Sequence, residues 1–204
     1  FRSMRGVLAG GSDVLVIETQ QDLLCIKNAT NAARIAMKEA GRTVPLMVQA
    51  SFDLNNGANM LTGSDPETLV AAMSAFRDVD VLGLNCAFGP TELTESIHYI
   101  CNHWPRLVSC LPNAGLPIMV DGKSQFPMTP PDFVKGLMRF VSEFGVNIVG
   151  GCCGTMPEHL KLLVEAVSEA SGEAKKRRSD GGITAAKVAS SPSSLDRFVA
   201  PSLG

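Results

Sequence analysis

Residues 147–157 read NIVGGCCGTMP and contain a short apolar strand, a glycine-rich turn with two adjacent cysteines, and the start of a helix. Thr155 followed by Pro157 is typical of a helix start, because a hydroxyl group caps free backbone amides and proline fits the first turn. A strand that leads directly into a helix is one βα unit. This stretch therefore predicts an α/β fold.

The same alternation of an apolar run and a helical stretch occurs five times along the chain. The predicted strands are 14–18, 46–50, 81–84, 107–110 and 147–150, and the helices that follow them are 23–39, 66–76, 93–103, 130–144 and 157–170. Such units form either an open doubly wound sheet or part of a (β/α)8 barrel. None of the strands is followed by a glycine-rich phosphate loop, G-x-G-x-x-G or G-x-x-x-x-G-K-[ST], so the barrel is favoured.

Composition excludes several classes of protein. The chain has 204 residues, a formal net charge of -2 and 45% hydrophobic residues, which is ordinary for a globular protein with a sizeable core. The balanced charge would not attract a phosphate backbone, so we expect no nucleic-acid partner. Apolar runs fall far short of the roughly 18 residues of a membrane-spanning helix, and no signal peptide is apparent. We expect a cytoplasmic protein without a membrane partner.

The last part of the chain differs from the rest. Residues 171–204 are rich in Ser, Gly, Ala and Pro and include the basic run 175–178. This composition predicts a flexible linker after a folded domain at 1–170. The chain begins with Phe1 and enters a periodic segment almost at once. We therefore expect a fragment of a larger protein.

Two adjacent cysteines, Cys152 and Cys153, follow the last predicted strand, at the end of a parallel sheet where active sites lie. On a regular strand they would point in opposite directions, so both reach one metal ion only if flanking glycines let the backbone turn. A disulfide between them is disfavoured, because adjacent Cα atoms are about 3.8 Å apart, closer than the usual bridge. Cys86 also follows a strand, so we expect three thiolates on one face.

Three cysteine ligands suit zinc, because soft sulfur favours it, and they leave a fourth position open. An open position is typical of a catalytic or substrate-binding site. The other cysteines and the histidines lie in predicted helices or in a strand, where we expect ordinary packing or solvation; they are Cys25, Cys101, Cys110, His98, His103 and His159.

Several short segments together resemble the homocysteine S-methyltransferase family. They are VIET (16–19), LTG (61–63), GLNC (83–86), PNAGLP (112–117) and GGCCGT (150–155), the last followed by PEH (157–159). The double-cysteine turn is the most specific of these motifs, and the resemblance covers about residues 6–167. In detail, the segments are most similar to the homocysteine module of cobalamin-dependent methionine synthases.

The resemblance implies a zinc ion held by Cys86, Cys152 and Cys153, with the sulfur of homocysteine as its fourth ligand. The coordinated thiolate would attack an electrophilic methyl group and give methionine. Glu18 matches the carboxylate that binds the substrate ammonium group. Asn113, which we also expect in the substrate-binding site, matches a loop residue that can approach the zinc when substrate is absent. No residue is assigned as a catalytic acid or base.

The family domain is a complete barrel of eight strands, whereas this chain has five βα units. If they are the last five, Glu18 ends the fourth strand, Cys86 the sixth and Cys152 the eighth. Such a C-terminal part of a (β/α)8 barrel keeps the zinc ligands and lacks substrate contacts from the early strands. The length agrees, since a usual barrel has roughly 250 residues.

The resemblance also implies partners beyond this chain. The methyl donor would be methylcobalamin on another module of the same polypeptide, which would also carry a pterin module. Two alternatives stay open. One is a stand-alone methyltransferase that uses betaine or a sulfonium donor, and the other is a structural zinc module without turnover.

Overall fold

A computed structural model of the chain describes residues 1–53 and 58–179. Its strands are β1 (Leu15–Gln20), β2 (Leu46–Ala50), β3 (Val81–Asn85), β4 (Leu107–Leu111), β5 (Ile118–Val120), β6 (Lys123–Gln125) and β7 (Ile148–Val149). Five of them form one parallel sheet in the order β1-β2-β3-β4-β7. β5 and β6 form a separate antiparallel hairpin. The predicted α/β class and the five parallel strands are confirmed.

The helices are α1 (Arg2–Ala9), α2 (Leu23–Ala40), α3 (Pro66–Ser74), α4 (Thr94–His103), α5 (Pro130–Arg139) and α6 (Pro157–Ser179). A π-helical turn, Phe140–Phe144, continues α5. The side chains of Asp22 and Asp65 accept hydrogen bonds from amides in the first turns of α2 and α3, which satisfies donors that a helix start leaves free. None of the described helices is long and apolar enough to cross a membrane.

The structure differs from the sequence-based expectation at three places. Helix α1 and the β5–β6 hairpin were not predicted. Helix α6 continues to Ser179, although a linker was expected from residue 171. The rest of that predicted linker, 180–204, lies outside the described residues.

The sheet is held by apolar side chains on the face that the helices cover. Leu46, Val48 and Leu82 are fully buried there, and every residue of β2 and β3 is buried. Strand β1 instead alternates, since Leu15 is buried while Val16 is 47% exposed. Strands buried on both faces are typical of the interior of a parallel α/β sheet, and the alternation marks β1 as a strand with one open face.

A row of three residues fixes how closely the central strands pair. Gln49 on β2 is in register with Gly83 on β3, which is in register with Ser109 on β4. The Gln49 Nε2 donates to Ser109 Oγ at 3.1 Å across Gly83. A Cβ atom at Gly83 would lie 2.1 Å from both the carbonyl oxygen and the Oγ of Ser109. Only glycine fits between these two side chains.

We predict that Gly83→Ala lowers the free energy of unfolding by about 1–3 kcal/mol, because the added methyl group must displace the backbone of β4. Urea unfolding monitored by circular dichroism measures the loss. The matched control is Gly6→Ala on α1, where a Cβ would meet nothing within 4 Å. Equal unfolding midpoints for Gly83→Ala and the unsubstituted chain would contradict the packing argument.

Candidate metal centre

Three cysteine side chains meet beyond the carboxyl end of the sheet. Cys86 follows β3, and Cys152 and Cys153 follow β7. Their Sγ atoms all lie within 4.8 Å of one another, with separations of 3.6 Å for Cys86–Cys153 and 4.0 Å for Cys152–Cys153. We call these three side chains the thiol cluster. The structure thus brings together the three cysteines that the sequence selected.

Left-handed backbone ends β3 and turns the chain at Cys86. Its φ angle is +62°, and that of Ala87 is +59°, a conformation that costs a residue other than glycine of order 1–3 kcal/mol. Two hydrogen bonds hold the turn: Cys86 N–H donates to the Leu111 carbonyl at 3.0 Å, and Phe88 N–H donates to the Cys86 carbonyl at 2.7 Å. Strain of this kind persists where the surrounding structure imposes it, commonly at functional sites.

Two hydrogen bonds to the backbone of Cys152 hold the double-cysteine turn. Cys152 N–H donates to the Pro112 carbonyl at 2.8 Å, and Thr155 Oγ1 donates to the Cys152 carbonyl at 2.7 Å. Gly154 has a φ of +74°, and a Cβ there would lie 2.1 Å from Phe126 Cγ. Glycine at this position is therefore required both by the backbone angle and by the aromatic ring packed against it.

Asn113, a predicted substrate-binding residue, makes contact with the backbone of the cluster. Its Oδ1 accepts a hydrogen bond from Cys153 N–H at 3.0 Å, and its own N–H donates to the Phe88 carbonyl at 2.7 Å. The side chain is buried. Asn113 thus links the loops that carry Cys86 and Cys153, and its role toward substrate stays a prediction.

Glu18, the other predicted substrate-binding residue, lies on β1 near its carboxyl end and is exposed. Within residues 1–53 and 58–179, no hydrogen bond or ion pair of its carboxylate is found. The carboxylate is therefore free to receive a cation from solvent. Its role toward substrate also stays a prediction.

Sequence reasoning missed Asn85, the last residue of β3. Its side-chain amide bonds Thr19 twice, at 2.8 Å each, and its Nδ2 lies 3.9 Å from the Sγ of Cys152. A signal was present in the sequence, since Asn85 is a polar residue at the end of an apolar strand and directly precedes a metal-ligand candidate. Its partners could not be identified, because they lie on strands distant in sequence.

The remaining cysteines and the histidines lie outside the thiol cluster. Cys25 is exposed, Cys101 is half-buried and Cys110 is buried. His159 is held by backbone groups: its Nδ1 accepts from Met156 N–H at 3.1 Å, and its Nε2 is 3.0 Å from the Met128 carbonyl. A carbonyl only accepts, so Nε2 is the donor in this hydrogen bond. Both ring nitrogens are occupied, so this side chain has no free metal ligand.

The cluster fits a tetrahedral thiolate site. Zinc–sulfur bonds of about 2.3 Å at tetrahedral angles place two sulfurs about 3.8 Å apart. Two of the three pairs are 3.6 and 4.0 Å apart, and the third, Cys86–Cys152, lies within 4.8 Å. Burial raises the pKa of Cys152 to about 12, with further increases from a hydrogen bond to Cys86 and from the neighbouring thiols. Hydrogen bonding to Cys86 and burial also raise the pKa of Cys153. A bound cation would compensate the negative charge of three adjacent thiolates.

Comparison with known proteins identifies the family. The sequence model of the homocysteine S-methyltransferase family matches residues 1–167. This chain belongs to the homocysteine S-methyltransferase family. It is 40% identical over 166 residues to the methionine synthase of Mycobacterium leprae, covering 81% of this chain and 14% of that protein. It is 39% identical over 163 residues to the methionine synthase of Mycobacterium tuberculosis, covering 80% of this chain and 13% of that protein. The chain thus spans 13–14% of the length of these curated relatives.

Solved structures show the same fold. The apo form of the homocysteine methyltransferase MmuM from Escherichia coli matches with a TM-score of 0.59 at 17% identity, covering 80% of this chain and 56% of that chain. Its metallated form matches with a TM-score of 0.57 at 19% identity, covering 79% of this chain and 50% of that chain. The similarity extends the family assignment from sequence to architecture.

We predict that zinc binding to the thiol cluster releases protons. The raised pKa values keep Cys152 and Cys153 protonated at neutral pH, and a metal displaces these protons as it binds. Apparent zinc affinity should therefore rise as the pH increases from about 6 to 8 and fall when the pH is lowered. Titration calorimetry in two buffers of different ionisation enthalpy measures the protons released.

The Cys25→Ser chain is the matched control, because Cys25 is an exposed thiol outside the cluster. It should release the same number of protons as the unsubstituted chain. Equal binding heats in the two buffers would show that no proton is displaced and would contradict the prediction.

Proposed function

We propose that this chain binds homocysteine through a zinc ion held by Cys86, Cys152 and Cys153, for methyl transfer that forms methionine. One observation carries the proposal: three Sγ atoms lie within 4.8 Å of one another in a chain of the homocysteine S-methyltransferase family. Zinc is supported by the all-sulfur donor set. A metallated form of a homocysteine methyltransferase with this fold supports a metal at the cluster.

The chain's own residues leave room for a substrate. Among the described residues, the group of metal-binding side chains contains three cysteines and no fourth member, and Cys153 is exposed. An open fourth position favours substrate binding over a closed structural site. Zinc, when bound, would supply the positive charge that keeps a coordinated substrate thiol in its thiolate form at neutral pH.

Glu18 would bind the ammonium group of homocysteine. Glu18 is followed on β1 by Thr19, which is hydrogen-bonded to Asn85. The Nδ2 of Asn85 in turn lies 3.9 Å from the Sγ of Cys152. A carboxylate and an ammonium group form a charge-assisted contact, which would orient the amino acid while its sulfur is held by the metal. Asn113 would keep Cys153 in place and face the same substrate region.

The methyl donor is proposed to be methylcobalamin carried on another module, with a pterin module in the same polypeptide. Support comes from methionine synthases about seven times longer than the matched region, since this region covers 13–14% of their length. These relatives favour the modular enzyme over a stand-alone enzyme that uses betaine or a sulfonium donor. A cytoplasmic location is also proposed, because cysteines that bind a metal must stay reduced.

The five βα units are proposed to be the fourth to eighth units of a (β/α)8 barrel. The fold matches 56% and 50% of the two solved chains, and β1 has an open face on which Val16 is 47% exposed. In this arrangement Glu18 lies on the fourth barrel strand, Cys86 follows the sixth and Cys152 follows the eighth. Upstream strands would then complete the substrate pocket.

We predict that replacing any one cluster cysteine by Ser, as in Cys86→Ser, lowers zinc affinity at least about 100-fold, because an alcohol is a far poorer ligand than a thiolate. Metal analysis after dialysis against a weak chelator measures retained zinc. Cys25→Ser, outside the cluster, should retain one zinc per chain. Equal zinc loss in Cys25→Ser, or none in the three cluster variants, would contradict the ligand assignment.

We predict that Glu18→Gln weakens homocysteine binding by about tenfold, because the exposed carboxylate forms a solvent-screened ionic contact with the ammonium group. Zinc content should stay unchanged, since Glu18 lies outside the thiol cluster. Calorimetric titration of the zinc-loaded chain with homocysteine measures the change. Glu165→Gln, at an exposed position on α6, is the charge-matched control. Wild-type homocysteine affinity in Glu18→Gln would refute the assignment.

A further inference from the structure

The amide of Asn85 connects two parts of the site. One is the carboxyl end of β1, where the backbone turns at Thr19 beside Glu18, and the other is the thiol cluster. We propose that Asn85 is a positioning residue of the metal centre, whose Nδ2 donates a hydrogen bond to the Sγ of Cys152 and tunes its charge. This inference rests on the proposed function, because it takes the cluster to be a metal site. It concerns a residue that is neither a metal ligand nor a substrate contact.

The hydrogen bonds determine how the Asn85 amide is oriented. Thr19 N–H is a donor and lies 2.8 Å from one end atom of the amide, so that atom is the oxygen Oδ1 and the other end atom is the nitrogen. Nδ2 then donates to Thr19 Oγ1 at 2.8 Å and lies 3.9 Å from Cys152 Sγ. Its two N–H groups therefore have one partner each, and Asn85 is only 2% exposed.

The backbone of Thr19 is strained at the point where it bonds Asn85. Its φ angle is +56°, a left-handed conformation that is rare for a β-branched residue. Both the N–H and the Oγ1 of Thr19 are bonded by the same amide. Two bonds from one rigid group hold this turn, so the end of β1, with Glu18, is fixed relative to β3 and Cys86.

The chemical effect is on the sulfur. A hydrogen bond to an anionic ligand stabilises its charge, and partners that orient and polarise metal ligands typically contribute 10- to 100-fold to metal affinity. Nδ2 is the amide donor that reaches the Cys152 sulfur. Loss of that donor should weaken the hold of the cluster on a metal ion, because the Cys152 sulfur would lose a partner that stabilises its charge and fixes its position.

Asn85→Leu removes the donor toward sulfur without adding a charge. Leucine has nearly the size of asparagine, but it also removes both bonds to Thr19. Thr19→Val removes one of those bonds and keeps the donor, so it controls for a change in the turn. Asn102→Leu, at an exposed position on α4, makes the same chemical change away from the cluster and is the matched control.

The experiment titrates Co²⁺ into the metal-free full chain and follows the sulfur-to-cobalt charge-transfer absorption. We expect Asn85→Leu to bind one Co²⁺ about 10- to 100-fold more weakly, with the charge-transfer band moved to longer wavelength because the sulfur has lost a hydrogen bond that stabilised its charge. Asn102→Leu should match the unsubstituted chain in affinity and spectrum. Thermal unfolding of the metal-free chains tests whether Asn85→Leu remains folded.

Thr19→Val keeps the donor to sulfur and removes one bond of the turn, so it should lower the metal-free unfolding temperature while leaving the band position unchanged. An unshifted band and unchanged affinity in Asn85→Leu would overturn the role of Asn85 alone. Equal band shifts in Thr19→Val and Asn85→Leu would also overturn it, since the effect would then be structural. Failure of the unsubstituted chain to bind Co²⁺ would overturn the proposed function as well.

Discussion

The thiol cluster depends on how the chain turns after two strands. Cys86 adopts a φ of +62° directly after β3, and Gly150, Gly151 and Gly154 flank the double cysteine that follows β7. Had either strand continued as regular β structure, its next side chains would point to opposite faces of the sheet. The two turns instead bring three sulfurs within 4.8 Å of one another. The loop after β4 holds both turns, because Asn113 N–H donates to the Phe88 carbonyl, and Pro112 and Asn113 accept from the amides of Cys152 and Cys153.

The hydrogen bonds around the cluster are made by neutral groups. Asn85 and Asn113 are buried amides, and His159, closest in sequence to the double cysteine, bonds two backbone groups rather than a sulfur of the cluster. Such groups hold the turns without adding a positive charge that would compete with a metal ion. The positive charge that three adjacent thiolates require is thereby left to a bound cation.

The sequence was sufficient to predict the five βα units and the cysteines that meet, because carboxyl ends of parallel strands share one edge of the sheet. The sequence alone could not predict the contacts of Asn85 or the strained φ angle of Thr19, because both depend on how strands distant in sequence pair. The β5–β6 hairpin was predictable in principle. Asp121 and Gly122, with φ of 50° and 74°, form the Asp-Gly turn that commonly joins two antiparallel strands.

X-ray absorption of the zinc-loaded chain, with and without homocysteine, shows whether the substrate sulfur joins the three cysteines at zinc. We expect three sulfur neighbours and one lighter ligand at zinc in the absence of substrate, and four sulfur neighbours once homocysteine is added. Because it counts the atoms bound to the metal, this measurement does not depend on a methyl donor. Three sulfur neighbours at saturating homocysteine would show that the zinc does not bind the substrate and would identify it as structural.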